Sequence, residues 1–260
     1  MDRAKEILSP ARIILAIGLI LGLAIVTMVA CSKEVKPTYT NAKDSFEQAT
    51  KLIEAKKYDE ARPLLTEVTN RDSSKVYAPQ AQLKIAESYV KEGEPDLAIE
   101  EFKKFVKLYP ESKYAPTAQY QVATLLFSQI EGPDRGYRSA ELAIKEFDKL
   151  NEMFPRNPYR DVIGLRLQKC RNVLAEHEFY VGNFYFKKGS YKAAIERFEI
   201  IYSKYPDYTD MPKAYYYSAM SYKELKEKNK ALEYMQKASD TAKEEKLAKK
   251  VKKELELLKR

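Results

Sequence analysis

A unit of about 34 residues recurs along the chain, and a sequence with that period folds by stacking copies of one small unit. The clearest copy runs from Ala175 to Pro206, where Gly182, Tyr185, Ala194, Phe198 and Pro206 stand three, nine, four and eight residues apart. Each residue type has a steric reason at its place. A small residue at 182 lets two helices approach closely, and Tyr185 fills the gap between them. Ala194 sits where the second helix crosses the first, and Phe198 packs one turn later. Pro206 ends the second helix, because it lacks an N–H and disfavours helix in the residue before it.

The other copies keep this frame. Ala86, Tyr89, Ala98, Phe102 and Pro110 repeat it at the same intervals, and Ala219, Tyr222, Ala231 and Met235 follow it further on. Ala49, Leu52, Ala61 and Leu65 form a weaker copy. Ala123, Leu126, Ala143 and Phe147 form another, with a longer loop, Glu131 to Gly136, between its helices. Gly93 and Gly189 share one repeat position, between the helices, where a positive φ is expected. Pro79, Pro116 and Pro212 share another, at the first turn of helix A, where a missing N–H costs little. These intervals match the tetratricopeptide (TPR) pattern. The expected fold is all-α: a right-handed TPR solenoid of about five helix-pair repeats (41–75, 76–112, 113–157, 158–208 and 209–241) with a C-terminal capping helix at 242–260.

Apolar residues recur at helical spacing, as in Tyr191, Ala194, Ile195, Phe198, Ile201, Tyr202 and Tyr205. Ten or eleven helices and no sheet are expected. No breaker interrupts the stretch from about Arg160 to Lys188, so helix A of repeat 4 starts well before its repeat frame.

The N-terminus reads as a targeting segment. Arg3, Lys5 and Arg12 flank an apolar run from Ile13 to Ala30, and Cys31 follows directly. Met28-Val29-Ala30-Cys31 resembles the lipobox of bacterial lipoproteins, which implies a signal peptide over 1–30, an acylated Cys31 as the mature N-terminus and a tether over 31–40. Acyl chains anchor a protein stably without a spanning helix. The alternative is an uncleaved anchor, since such a run just spans a bilayer. Ser32 is not the Asp that retains lipoproteins in the inner membrane, which favours the periplasmic face of the outer membrane. Of the net charge of +8, the leader contributes little. In an exported protein, nucleic acid is not the expected partner. Anionic lipid heads or acidic protein surfaces are, and a Lys-rich solvated face gives the same balance.

The search for catalysis finds little. His177 is the single histidine, and it lies seven residues from Cys170, about 10 Å along a helix. No HExxH, GxSxG, CxxC or phosphate-binding loop is present. His177 reads as a packing residue and Cys170 as a buried thiol on a stripe with Leu167, Leu174 and Val181. No enzyme, cofactor or metal is expected. The aromatic content is more informative: 20 tyrosines and 10 phenylalanines with no tryptophan. Consecutive residues in a helix point about 100° apart, so Tyr215, Tyr216 and Tyr217 cannot all enter one seam. Either at least one faces a groove or partner, or all three thicken the packing between repeats. The apolar stripe of the next helix back uses Tyr191, Ala194, Ile195, Phe198 and Ile201. Arg197 lies off that stripe, and its guanidinium is expected to reach solvent, a partner or an ion pair in its own helix.

Arg171-Asn172-Val173-Leu174-Ala175-Glu176-His177-Glu178, continuing to Tyr185 and then Gly189-Ser190-Tyr191-Lys192-Ala193-Ala194-Ile195-Glu196-Arg197, resembles a run typical of the BamD family of outer-membrane β-barrel assembly lipoproteins. Phe154-Pro155-Arg156-Asn157-Pro158-Tyr159 and Tyr109-Pro110-Glu111-Ser112-Lys113-Tyr114-Ala115 are similar to further family segments. The resemblance implies a non-enzymatic scaffold and substrate-receiving subunit. Its C-terminal repeats, with Arg197 in the docking region, would meet the POTRA domains of a BamA-like barrel subunit. Its N-terminal repeats would receive unfolded β-barrel precursors. The rival is a periplasmic TPR adaptor recruiting envelope proteases or cell-wall enzymes. The Lys/Glu-rich tail from Ala242 to Arg260 departs from the family's pattern.

Overall fold

The structure, a computed structural model, describes residues 39–260. The leader, Cys31 and nearly all of the tether lie outside the described residues. Residues 40–260 form one compact unit. They fold into eleven helices: α1 (Ala42–Glu54), α2 (Tyr58–Arg71), α3 (Ala78–Glu92), α4 (Pro95–Leu108), α5 (Ala115–Ser128), α6 (Tyr137–Met153), α7 (Arg160–Lys187), α8 (Tyr191–Lys204), α9 (Met211–Glu224), α10 (Lys228–Thr241) and α11 (Glu245–Lys259). Each helix packs on the next, and α1 to α10 pair as five A–B repeats of the TPR type, with α11 closing the C-terminal end.

The sequence frame accounts for the packing. At the A-helix small position Ala49, Ala86, Ala123 and Ala219 are fully buried. Repeat 4 has Gly182 there, and a Cβ on it would lie 2.6 Å from the Phe198 ring. The phenyl group therefore occupies the space of the missing methyl, and α7 and α8 meet more closely than alanine permits. Phe102, Phe147 and Phe198, one per repeat, are among the largest fully buried side chains.

In repeats 1, 2, 4 and 5 the turn between the A and B helices uses a left-handed residue. Gly93 and Gly189 have φ of 85° and 77°. Lys56 and Lys226 hold the same repeat position in repeats 1 and 5, with φ of 59° and 63°. A Cβ makes that conformation costly, so two repeats carry a small backbone strain that the other two avoid.

Helix α7 is 28 residues long. Its length has a local cause. Repeats 2, 3 and 5 open helix A with Pro79, Pro116 and Pro212. The equivalent residue of repeat 4 is Ala175, which lets the helix run on. The N-terminal half of α7 joins the core of repeats 2 and 3 through Ile163, Leu167, Cys170 and Leu174, and its C-terminal half packs with α8 and α9.

Two of the junctions between repeats are capped by side chains. The Asp72 carboxylate accepts from the Tyr77 and Ala78 amides at 2.6 and 2.9 Å and from Ser74. At the repeat 3–4 junction Asn157 Oδ1 accepts from the Tyr159 amide at 3.0 Å. Burial opposes ionisation of Asp72, but its hydrogen bonds from Ser74, Ala78 and Tyr77 outweigh that and hold its pKa below the ordinary carboxylate value.

Candidate functional site

Arg197 and the tyrosine triplet lie in repeats 4 and 5, on α8 and α9. Arg197 does not pair within its own helix. Its Nη1 donates to Glu178 Oε2 on α7 at 3.2 Å, with the arginine side chain 40% exposed and the glutamate 18%. The register explains the pairing. Glu178 stands four residues before the small position of helix A, and Arg197 three after the frame alanine of helix B, Ala194. The same two positions in repeat 2 are Gln82 and Glu101, and in repeat 3 Gln119 and Glu146. There each buried amide Nε2 donates to the glutamate backbone carbonyl and carboxylate of the facing helix. In repeat 5 they are Tyr215 and Tyr234, with ring centroids 6.2 Å apart. Arg197 thus sits where every one of these repeats links its two helices, with its side chain still partly open to solvent.

The triplet divides three ways. Tyr215 stacks on Tyr202 at 4.9 Å, and the Tyr202 hydroxyl meets Ser218 Oγ at 2.7 Å. Burial raises the Tyr202 phenol far above its ordinary pKa. Tyr217 lies edge-on to Phe186 and Phe179 at 5.2 and 5.6 Å. Tyr216, with the edge of Tyr217, lines an open cleft of about 180 Å³ with Lys213, Glu244, Lys246, Leu247 and Lys250. The C-terminal helix supplies much of this cleft's positive charge.

His177 is held by packing. Its ring stacks on Tyr137 at 4.2 Å, and Nδ1 donates to the Pro133 carbonyl at 2.7 Å, fastening the long loop of repeat 3 to α7. Cys170 is fully buried, and burial pushes its thiol up to about 11, so it is protonated at neutral pH. Among the described residues no group of three or more His, Cys, Asp or Glu side chains could hold a metal. No helix among them is long and apolar enough to cross a membrane.

One cluster escaped the sequence reading. On helix A of repeat 3, Thr117, Tyr120, Thr124 and Phe127 form one face, and residues from α7 and the turn before it lie against them. Tyr159 stacks on Tyr120 at 3.9 Å and shares a hydrogen bond with Thr117. Arg166 donates to Thr124 Oγ1 and lies over the Tyr120 and Phe127 rings at 5.1 and 5.3 Å, and Lys169 lies over Phe127 at 5.3 Å. Arg166 and Lys169 precede the repeat frame of their helix, so periodicity gives them no position. Thr124, forty-two residues upstream of Arg166, signals nothing until the helices are side by side.

A family profile described as YfiO, outer membrane lipoprotein, matches residues 39–253. The chain is 25% identical over 226 residues to the outer membrane protein assembly factor BamD of Neisseria gonorrhoeae, covering 82% of this chain and 85% of that one. It is 26% identical over 183 residues to the protein of the same name from Rickettsia prowazekii, covering 70% and 73%. Among solved structures, the TPR domain of P58(IPK) matches at 16% identity with a TM-score of 0.42, over 84% of this chain and 56% of that one. With the profile spanning nearly all of the described solenoid, this chain belongs to the YfiO outer membrane lipoprotein family.

Proposed function

We propose that the protein is a lipid-anchored, non-enzymatic subunit of the machinery that inserts β-barrel proteins into the bacterial outer membrane. The observation that carries this reading is the family match over 39–253, joined by relatives named as outer membrane protein assembly factors. Cys31 is the acylated N-terminus and holds the solenoid at the periplasmic face of the outer membrane. Repeats 4 and 5, with the open side of Arg197 and the cleft at Tyr216, dock a POTRA-bearing barrel subunit. The concave face of the A helices in repeats 1–3 receives extended segments of unfolded barrel precursors, a use that suits the inner surface of a solenoid.

The test is an affinity capture from detergent-solubilised envelopes. Recovery of a POTRA-containing barrel is the expected result, and recovery of envelope proteases or cell-wall enzymes in its place would give the adaptor reading. Docking at Arg197 is separated from helix linking by a double exchange. Glu178→Gln with Arg197→Glu rebuilds the amide–carboxylate link of repeats 2 and 3, keeping the fold while removing the cation. A folded double variant that still captures the barrel with unchanged affinity excludes Arg197 from docking. Mass spectrometry of the mature protein checks the anchor: a lipid-modified peptide starting at Cys31 is expected, and a protein retaining residues 1–30 overturns it.

A further inference from the structure

Three arginines among the described residues are half-buried: Arg62, Arg166 and Arg197. Arg62 pairs with Asp59 and, at 2.7 Å, with Glu92. Arg197 pairs with Glu178. Among the described residues Arg166 has no carboxylate within 4.0 Å, and its one protein acceptor there is the neutral Thr124 hydroxyl. Arg62 is an internal control, because it too lies over an aromatic ring, Tyr89, at 4.4 Å, and is nonetheless neutralised. Arg62 thus combines ring stacking with counter-ions, whereas Arg166 has the stacking alone. A half-buried guanidinium without an opposing charge leaves its charge uncompensated on the protein side, and here a second cation, Lys169, lies over the same Phe127 ring.

We propose that Arg166 and Lys169 form a carboxylate-binding site on the concave face between the A helices of repeats 3 and 4. The ligand is a carboxylate on an extended protein segment. Its chemistry follows from the parts. The Thr124 bond and the two rings fix the guanidinium plane, leaving other N–H groups to meet a carboxylate in the fork geometry that arginine provides. The stacked Tyr120–Tyr159 pair gives a flat apolar platform beside it, suited to the side chain next to the carboxylate. A side-chain carboxylate and a chain-terminal one present the same group, and the experiment tells them apart. The proposal rests on the reading that this face receives extended segments.

The test measures fluorescence anisotropy with the full chain in detergent and four short labelled peptides of alternating apolar and polar residues. One carries a single internal Glu with both ends blocked, one has Gln in its place, one is the Gln peptide with a free C-terminus, and one is that peptide amidated. Either or both carboxylate-bearing peptides are expected to bind about 10- to 100-fold more tightly than their neutral counterparts, the range of a charge-assisted hydrogen-bond pair. Which of them gains identifies the source. Arg166→Gln abolishes the preference, while Lys169→Gln, an exposed change that leaves the Thr124 bond and stacking intact, reduces it. If both variants keep the wild-type preference, the site is wrong. Neutral peptides that bind as well as charged ones overturn the carboxylate site but leave the groove reading standing. Absence of binding by all four removes both. Arg166-dependent binding to phosphatidylglycerol vesicles without peptide preference overturns the proposal in favour of a lipid-headgroup site.

Discussion

Repeats 2 and 4 join their two helices at the same pair of positions with different chemistry. In repeat 2 the buried amide of Gln82 reaches the backbone and carboxylate of Glu101. In repeat 4 the carboxylate is on helix A and the cation on helix B, as Glu178 and Arg197. The first link gives its acid a fully buried amide donor. The second leaves an arginine side chain 40% exposed. A structural position has thus been given a side chain that can also face outward, which is how a repeat protein can place a binding group without altering its frame.

The sharpest break in this comparison comes at the small position. Gly182→Ala puts a methyl group against Phe198, and the cost is expected to be about 2 kcal/mol of overpacking, partly offset by up to about 1 kcal/mol of helix propensity. Repeats 2 and 3 already carry Ala86 and Ala123 there. Adding Phe198→Leu should recover part of the lost thermal midpoint. Equal midpoints for wild type and Gly182→Ala would show that the close approach in repeat 4 is not what the ring contact indicates.

A smaller effect is expected at the link itself. Arg197→Glu sets two carboxylates together, and with the arginine this exposed the loss is about 1 kcal/mol. The double variant with Glu178→Gln should restore most of it. Denaturant midpoints for the two single and one double variant give the coupling directly; additive losses would mean that the repeat equivalence is geometric only.

The two junction caps differ in their response to pH. The Asp72 pKa is lowered by folding, so its contribution is full above the ordinary carboxylate range, about 4, and is lost as pH falls through the folded value. Asp72→Ala should cost about 1 kcal/mol at neutral pH and progressively less in acid. Asn157→Ala, at the other junction, should cost a pH-independent amount. Parallel pH profiles of the two variants would refute the contrast.

The smallest effect concerns the left-handed turns. Lys56→Gly and Lys226→Gly should each stabilise by about 0.5 kcal/mol, the relief of backbone strain exceeding the added freedom of the unfolded chain. Gly93→Ala should act in the opposite direction, by about 1 kcal/mol. Calorimetric midpoints of the three variants check the signs.

The sequence frame made the fold legible because its residues act locally: a glycine at a close crossing, a proline at a first turn, a phenylalanine between two helices. It also revealed the length of α7, through the lack of a breaker. The candidate surfaces were less legible. Arg197 could be seen to lie off its stripe, yet its partner is nineteen residues away on another helix. The triplet announced that three tyrosines need three environments, without indicating that Tyr202, Phe186 and Phe179 take two of them. Lys56 and Lys226 hide a strained turn, because lysine carries no signal for positive φ. Arg166 gains meaning only beside Thr124 and Tyr120.

Helix α7 carries both Arg166 and Glu178, the latter the anchor of Arg197. They lie twelve positions apart along one continuous helix, a distance of about 18 Å. The helix is therefore a gauge. A single extended strand that touches both surfaces needs about five to six residues to do so. Inserting one residue between them would move the far surface by only about 1.5 Å but turn it by about 100°, so the calibration lies in angle more than in length.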